Sequence, residues 1–345
     1  SGITMKFSEL FLNNQYQGVY AVSEKVNRSL LQLKKDKDGV VRGELFKGKS
    51  WEGTTFENLI RYNNNNTFWN GFEYKYPNDL IDWSSLYRFI AFVMHTDDEE
   101  FTRNYSSVFN LSNAVDYFIF LNVVRATDNT GKNIYIARYD TGTPFFFVPW
   151  DLDGTFGTIF DGSRENITED KLSNGLYKRL WRDATFRNLL KVRWNALRET
   201  ILSNASLHQL LSTSYHYLLE NAVYEREAMA WEGYHFRETD WMYMNVWLDD
   251  RLAYLDVEFN KPFLHETHAD VDIEFYPNPA HDYLIVINQD IMQTIRMTDL
   301  NGKLIQTVEP NTFRKRIDLS MVHPGMYILQ IICQNKVSYI KVQKI

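Results

Sequence analysis

Cysteine, excess charge of one sign and long apolar runs are all scarce in this sequence. Its only cysteine, Cys333, excludes an internal disulfide framework and any zinc site built from several thiolates, and its apolar strand context predicts a core residue. Lysine and arginine total 37 against 44 acidic residues, a net charge of −7 without a basic block, which disfavours a nucleic-acid partner. No apolar run approaches the roughly 20 residues that cross a bilayer, so no transmembrane segment is expected.

The sequence also lacks a signal-peptide pattern at its beginning. It opens on Ser1-Gly2, without a charged region followed by an apolar one, and we therefore expect an internal start with upstream residues missing. What is present is ample for packed cores, because 44% of the residues are hydrophobic and 15% are aromatic. A length of 345 residues suggests two or three domains.

A helix followed by a hairpin is predicted over residues 114–157. Apolar side chains three and four positions apart, from Asp116 to Val124, indicate one helical face, and this pattern ends at Asp128. Alternating segments at 134–139 and 145–148 then predict two strands with a tight turn between them. The hairpin should carry the polar side chains at its two ends close to one another.

Those polar side chains have a spacing that suits phosphoryl transfer. Asn133 follows Asp128 by five residues, and Asp151 follows the hairpin with Asp153 close behind. Phosphoryl transfer needs a carboxylate near the attacking hydroxyl and oxygen ligands for the magnesium ions that bridge the phosphates. Protein kinases place an Asn five residues after the catalytic Asp, then a hairpin, then a metal-binding Asp-Phe-Gly. The order here is the same, although Arg125-Ala-Thr-Asp replaces His-Arg-Asp and no Gly-rich phosphate loop occurs.

Further short motifs accompany this hairpin. They are Asn14-Gln-Tyr-Gln-Gly-Val-Tyr20 with Glu24, Phe72-Glu-Tyr-Lys-Tyr76, Asp128 with Lys132-Asn133, and Val148-Pro-Trp-Asp-Leu-Asp153 with Gly157. Together they resemble the CotH, or spore-coat-protein-H, group of atypical kinase-like proteins. The resemblance implies a protein-kinase-like fold and phosphorylation of protein hydroxyls that depends on ATP and on Mg²⁺ or Mn²⁺. It implies Asp128 as the base and Asn133 and Asp151 as metal ligands, with Asp153 as a second or alternative metal residue.

The same resemblance makes Glu24 and Lys132 candidate nucleotide contacts. Glu24 would lie at the hinge that meets adenine, after an N-terminal hairpin predicted from Met5 to Ser23; an ordinary surface charge at a strand end is an equally good interpretation. The family implies a phosphate-binding Lys and an orienting Glu before that hairpin, and only about a dozen residues precede it. We therefore expect an incomplete N-terminal lobe. Lys6 is a possible substitute, although an exposed lysine on an edge strand is more often surface.

The sequence after Gly157, up to about residue 259, predicts a large helical lobe. The loop from Gly157 to about Asp170 is a candidate for protein-substrate contact, or is simply a loop. Long helical patterns follow at 176–203, 207–231 and 239–259. The helical spacing of apolar residues stops after residue 259, and Pro262 follows. We predict a CotH kinase-like domain over 1–262, a linker over 263–270 and a second domain over 271–345.

The C-terminal part predicts a small all-β domain. About 75 residues contain seven short strand patterns separated by turn signals, which favours a β-sandwich. Its motifs are Tyr276-Pro-Asn-Pro-Ala280, Asp299-Leu-Asn-Gly-Lys303, Asp318-Leu-Ser320 with Pro324-Gly-Met-Tyr327, and Lys341-Val-Gln-Lys-Ile345. In this order they resemble the type IX secretion C-terminal sorting domain. The resemblance implies contact with the secretion machinery and export from a Gram-negative cell, to the medium or the outer-membrane surface. A generic sandwich that serves as a binding module is the plainer alternative.

The sequence thus predicts an α+β chain: a protein-kinase-like domain with a small-lobe hairpin at its N-terminus, a large helical lobe and a catalytic hairpin, followed by a small all-β sandwich. Two functions remain open. One is a secreted CotH-like kinase that uses ATP and magnesium to phosphorylate protein hydroxyls. The other is a non-catalytic, pseudokinase-type surface scaffold or binding protein. The intact Asp128, Asn133 and Asp151 favour the first, whereas the missing lysine and glutamate of the small lobe favour the second.

Overall fold

The computed structural model describes residues 3–261, 273–300, 302–334 and 337–345. The chain divides into two compact units, Ser1–Pro262 and Phe263–Ile345. The predicted linker 263–270 lies outside the described residues.

The first unit combines helices with antiparallel strands. Its strands are β1 (Met5–Leu12), β2 (Gln15–Ser23), β3 (Glu44–Gly48), β4 (Phe68–Trp69), β5 (Phe72–Tyr76), β6 (Ile134–Arg138) and β7 (Phe146–Pro149). Its helices are α1 (Ser84–His95), α2 (Asp98–Val108), α3 (Leu111–Val123), α4 (Gly175–Trp181), α5 (Ala184–Arg198), α6 (Asn204–Glu220), α7 (Val223–Ala230) and α8 (Glu238–Glu258). The α+β class expected from the sequence is confirmed.

The predicted hairpin of β6 and β7 is part of a five-stranded sheet in the order β4-β5-β3-β6-β7. Because side chains alternate along a strand, Phe46, Ile136 and Phe147 share the face that packs on the helices and are all buried there. Tyr135 and Val148 lie on the opposite face, in a smaller core with side chains from residues 26–33. The hairpin is therefore fixed from both sides, and its ends are fixed with it.

Two of the predicted helical patterns are interrupted in the structure. The pattern over 176–203 becomes α4 and α5, because the Asp183 carboxylate accepts the Phe186 N–H at 2.7 Å and starts a new helix. The pattern over 207–231 becomes α6 and α7, with Ala222 between them at a φ of 51°. Apolar periodicity continues across both interruptions, and so the sequence pattern alone does not reveal them.

The N-terminal hairpin of β1 and β2 is a separate two-stranded sheet. It packs on α7, where the Glu227 carboxylate accepts the Tyr16 hydroxyl at 2.8 Å and the Val19 N–H at 2.6 Å. Gly18 has a φ of +100°, and a Cβ there would lie 2.5 Å from the Trp231 indole nitrogen. The glycine of this motif therefore allows the hairpin to approach the helical part of the unit closely.

The second unit consists of two antiparallel sheets around one core. Its strands are β8 (Glu274–Tyr276), β9 (Tyr283–Met292), β10 (Thr294–Asp299), β11 (Leu304–Val308), β12 (Thr312–Asp318), β13 (Gly325–Ile332) and β14 (Val337–Lys344). They form a three-stranded sheet, β12-β9-β8, and a four-stranded sheet, β11-β10-β13-β14. Val286 from one sheet and Leu329 and Val342 from the other are fully buried in the shared core. Cys333 is also buried, as expected.

The Tyr-Pro-Asn-Pro-Ala motif and the terminal Lys-Val-Gln-Lys-Ile motif contact each other. The Asn278 side-chain oxygen accepts the Gln343 N–H at 2.8 Å, and the Ala280 N–H donates to the Gln343 carbonyl at 2.7 Å. Ile345 completes the contact, because its N–H donates to the Ala280 carbonyl at 2.9 Å. The first motif therefore binds the end of β14, which explains why the two motifs occur together.

A buried carboxylate in β3 makes the stability of the first unit depend on pH. Glu44 is fully buried, pairs with Arg138 and accepts the Ser85 hydroxyl at 2.9 and 2.8 Å from its two oxygens. Burial raises the pKa of Glu44 to about 7. Between about pH 4.5 and 7 the folded state therefore holds a proton that the unfolded state releases, and the free energy of unfolding falls as the pH rises through this window.

Glutamine has nearly the shape of a protonated glutamate and does not titrate. The variant Glu44→Gln should therefore lack this fall in the free energy of unfolding. The free energy of unfolding of Glu44→Gln minus that of the wild type is expected to be larger at pH 8 than at pH 5, by up to roughly 3 kcal/mol. Urea unfolding followed by tryptophan fluorescence measures the first unit alone, because all nine tryptophans precede residue 262. Glu99→Gln, on an exposed site of α2, is the matched control. The same difference between Glu44→Gln and wild type at both pH values would contradict the expectation.

Candidate functional site

Asp128 begins a short 3₁₀ turn, Asp128–Thr130, between α3 and β6. Its half-buried carboxylate accepts the Lys132 ammonium at 2.8 Å. The Asn133 side-chain N–H group lies 3.5 Å from the same carboxylate oxygen. Lys132 and Asn133 therefore both contact one oxygen of the Asp128 carboxylate, the group predicted to act as the general base. The second carboxylate oxygen of Asp128 takes part in neither contact.

A buried asparagine joins the two ends of the hairpin. The Asn129 amide donates to the Asn133 carbonyl at 2.7 Å and to the Trp150 carbonyl at 2.9 Å. The Trp150 N–H donates to the Asn133 carbonyl at 3.0 Å, and the Tyr117 hydroxyl on α3 donates to the Asn129 carbonyl at 2.9 Å. Sequence reasoning missed Asn129; its signal was an amide inside a turn that precedes two buried strands.

The predicted metal residues Asn133 and Asp151 lie on either side of this junction. Both have left-handed backbone conformations, with φ values of 55° and 56°, which Asn and Asp adopt more readily than most residues. Asn133 is buried and Asp151 is exposed. The hydrogen bond that Lys132 donates to Asp128 raises the pKa of Lys132, and the nearby charges of Asp151 and Asp153 add to this rise. The structure thus brings the three predicted carboxylates within electrostatic reach of one ammonium group.

A lysine that sequence reasoning missed lies on the neighbouring strand. Lys47 of β3 pairs in register with Tyr135 of β6, and its ammonium lies 5.8 Å from the Tyr135 ring centroid and 5.7 Å from that of Trp150. Burial lowers the pKa of Lys47, whereas the negative charge of Asp151 raises it. The available signal was one lysine within an otherwise buried strand. Lys6, the substitute considered from the sequence, lies on the exposed strand β1.

Glu24 makes local contacts at the base of the N-terminal hairpin. Its carboxylate accepts the Thr4 N–H at 2.9 Å and the Thr4 hydroxyl at 2.6 Å, and these hydrogen bonds lower the pKa of Glu24. The side chain is exposed. These contacts suffice to explain its position as a structural closure of the hairpin, and its role at an adenine hinge stays a prediction.

The donor chemistry of the site fits a magnesium ion held mainly by substrate phosphates. Within the described residues, no three His, Cys, Asp or Glu side chains are grouped so that they could hold a metal by themselves. Magnesium in phosphoryl-transfer sites is bound by one or two carboxylates together with water and phosphate oxygens. The Asp151 carboxylate and the side-chain oxygen of Asn133 are oxygen donors of the kind that would hold such an ion, and Asp153 is exposed two residues further along.

The segment after Asp153 is anchored to the helices. Gly157 has a φ of +78°, and a Cβ there would lie 2.5 Å from the Trp247 ring, so this motif position requires glycine. The Tyr243 hydroxyl donates to the Gly157 carbonyl at 2.7 Å. Further along, the Arg125 guanidinium pairs with Asp170 at 2.8 Å and with Glu165. The arginine that stands just before the turn therefore fixes the loop that follows the predicted metal residues.

Comparison with known protein families identifies the two parts of the chain. A family model described as CotH kinase protein matches residues 2–255. The chain belongs to this family. A second model, described as secretion system C-terminal sorting domain, matches residues 274–345. The CotH domain is thus attached to a type IX sorting domain, which implies interaction with the secretion machinery and places the protein in the secreted or cell-surface fraction. No helix within the described parts of the chain has the length and apolarity to cross a membrane.

The similarity to one solved structure is slight. No curated protein matches this CotH chain significantly. A solved structure of PorZ, described as an essential bacterial surface component of the type-IX secretion system of Porphyromonas gingivalis, is 20% identical over 23% of this chain and 12% of the PorZ chain, with a TM-score of 0.20. This chain therefore spans a small part of the length of PorZ, and the similarity is too low to indicate a shared fold.

Proposed function

We propose that the CotH domain transfers the γ-phosphate of ATP to hydroxyl groups of proteins outside the cell, with Mg²⁺ or Mn²⁺ as the metal. The observation that carries this proposal is the grouping of Asp128, Asn133 and Asp151 at the base of one hairpin, around the Lys132 ammonium. Phosphoryl transfer depends mostly on positioning and on electrostatic stabilisation, and these side chains supply both.

Each residue has a defined role in this proposal. Asp128 orients the acceptor hydroxyl and takes its proton, while the Lys132 ammonium holds one oxygen of that carboxylate in place. Asn133 and Asp151 would hold the metal, with Asp153 as a second or alternative ligand. When bound there, Mg²⁺ would supply positive charge that offsets the charge of the phosphates. Lys47 supplies a further cation near Asp151, in the role of a phosphate-binding lysine, and Glu24 is a candidate adenine contact.

A non-catalytic surface scaffold is the second candidate function. The observation in its favour is that the Asp128 carboxylate is already engaged by Lys132 at 2.8 Å. A scaffold would keep the fold, the export route and the ion pair but would bind no nucleotide. The two candidates therefore differ in whether the hairpin junction handles ATP, which can be measured directly.

The proposal is tested by incubating the whole chain with γ-labelled ATP, Mg²⁺ or Mn²⁺, and casein as a general hydroxyl acceptor. Label is expected on casein or on the chain itself. Asp151→Asn, which removes the charge but suits the left-handed backbone, is expected to reduce transfer by about 100-fold or more. Asp79→Asn, on an exposed loop, is the control and should transfer at the wild-type rate. Equal labelling by wild type and Asp151→Asn, or none by either, would argue against the proposal.

A further inference from the structure

A cavity of about 760 Å³ opens in the first unit beside the loop that follows Gly157. Its walls are formed by Thr158, Gly162 and Arg164 from that loop, and by α6, α8 and the segment 233–237 that precedes α8. The side chains of the hairpin junction do not line it. The cavity is therefore a separate feature that the proposed phosphoryl-transfer residues leave unexplained.

Aromatic rings form most of its apolar wall. Tyr215 of α6 stacks on Trp241 of α8 with ring centroids 4.4 Å apart and planes within 6°. Tyr224 of α7 stacks on Phe236 at 4.3 Å, and Phe236 lies 6.1 Å from Tyr215. Phe236 is nevertheless 38% exposed. Such a wall is preorganised to receive a flat or bulky apolar group, because rings packed on each other have little conformational freedom to lose.

The mouth of the cavity carries an excess of positive charge. Arg164 lies over the Tyr243 ring at 4.6 Å and donates to Asp240, and the Arg237 Nε donates to the same Asp240 at 2.9 Å. Two guanidinium groups thus share one carboxylate. The terminal nitrogens of Arg237 have no hydrogen-bond partner within the described part of the chain, and its side chain is 67% exposed. This arrangement can still accept a carboxylate in a two-point contact.

The cavity is joined to the candidate active site through a few residues. Asp153 and Gly157 are four positions apart, and Tyr243, which donates to the Gly157 carbonyl, lines the cavity wall. Thr158, the next residue along the chain, also lines the cavity. An extended polypeptide held in the cavity would therefore pass close to the loop that carries the predicted metal residues.

We propose that this cavity binds the acceptor polypeptide, by taking an aromatic side chain against the Tyr215, Phe236 and Trp241 wall and an adjacent acidic side chain at Arg237. The role of this polypeptide as the acceptor rests on the proposed phosphoryl transfer. Its acidic and aromatic character is inferred from the cavity alone. The excess positive charge favours a peptide carboxylate over a neutral sugar, which could use the aromatic wall but would leave the guanidinium groups unused.

Three fluorescein-labelled peptides test the assignment by fluorescence anisotropy with the whole chain, in the absence of nucleotide and metal. Their sequences are Gly-Ser-Glu-Phe-Glu-Gly, Gly-Ser-Lys-Phe-Lys-Gly and Gly-Ser-Glu-Ala-Glu-Gly. The first is expected to bind about tenfold or more tightly than the other two. Phe236→Ser should weaken its binding to the level of the alanine peptide. Arg237→Glu should reverse the preference between the acidic and the basic peptide, whereas Arg61→Glu, on an exposed loop, should leave it unchanged.

Each other result overturns the assignment. Equal or undetectable binding of the three peptides would show that the cavity does not bind acidic aromatic segments selectively. The same conclusion would follow if Arg237→Glu did not alter the preference for the acidic over the basic peptide. Displacement of the first peptide by an oligomer of N-acetylglucosamine would assign the cavity to sugars instead. Because the titration contains no ATP or metal, it measures peptide binding independently of phosphate transfer. Selective peptide binding here, together with no label transferred in the assay with γ-labelled ATP, would refute the proposed kinase activity and leave the peptide site standing.

Discussion

Replacing Arg251 by methionine is expected to lower the free energy of unfolding of the CotH domain by about 3–5 kcal/mol. The Arg251 side chain on α8 is fully buried. It donates to the Asn122, Thr168 and Asp170 carbonyls, each at 2.7 Å, and to the Asp170 carboxylate at 2.9 Å. Methionine fills much of the volume but donates to none of these acceptors, and each buried acceptor that is left unpaired carries a desolvation penalty of about 1–3 kcal/mol. The Asp170 carboxylate keeps its pairing with Arg125.

The loss should be visible in urea unfolding followed by tryptophan fluorescence. Since a domain of this kind is stable by only about 5–15 kcal/mol, the transition should move to clearly lower urea concentration. Arg103→Met, which removes an exposed ion pair with Glu99 on α2, is the control and should change the free energy of unfolding by less than about 1 kcal/mol. A similarly small change for Arg251→Met would show that α8 does not anchor the loop in the way its hydrogen bonds indicate.

Asp128→Asn is expected to slow phosphoryl transfer by about 10²–10⁴-fold while leaving ATP affinity within about twofold of the wild type. Asparagine has the same shape but cannot take the proton of the acceptor hydroxyl. The hydrogen bond from Lys132 can persist to the amide oxygen, so the turn Asp128–Thr130 should keep its conformation. A loss of catalytic rate at unchanged nucleotide binding is what distinguishes a base from a binding residue.

Single-turnover labelling of casein with saturating ATP measures this rate, and equilibrium titration of ATP measures the affinity. Asp79→Asn should match the wild type in both measurements, which controls for the change of charge. If Asp128→Asn lost affinity and rate together, Asp128 would be a nucleotide or metal residue. If it changed neither, the assignment of Asp128 as the base would be wrong.

The hairpin and its polar ends could be predicted because their determinants are local. A turn at Asp128, two alternating strands and a second turn leave few other arrangements, and short strands joined by a tight turn must bring Asn133 and Asp151 together. The seven C-terminal strand patterns correspond to β8 to β14, because each is bounded by turn residues. Turn residues and strand alternation determine both features, and these signals are visible in a single sequence.

Partners that are distant in sequence could not be predicted. Lys47 meets Tyr135 only because β3 pairs with β6, across more than eighty residues, and no local pattern encodes that pairing. The same holds for Asn129, whose role depends on Trp150, and for the packing of the N-terminal hairpin on α7 through Glu227. The helix interruptions at Asp183 and Ala222 were missed because apolar periodicity continues through them.

The most direct test of a nucleotide site at the hairpin junction is a calorimetric titration of Mg²⁺·ATP into the purified chain and into Asp151→Asn. We expect saturable binding by the wild type that is lost in Asp151→Asn and retained in Asp79→Asn. Binding of equal strength by the wild type and Asp151→Asn would contradict a metal role for Asp151. No binding by the wild type would contradict a nucleotide site at this junction and would favour the non-catalytic scaffold.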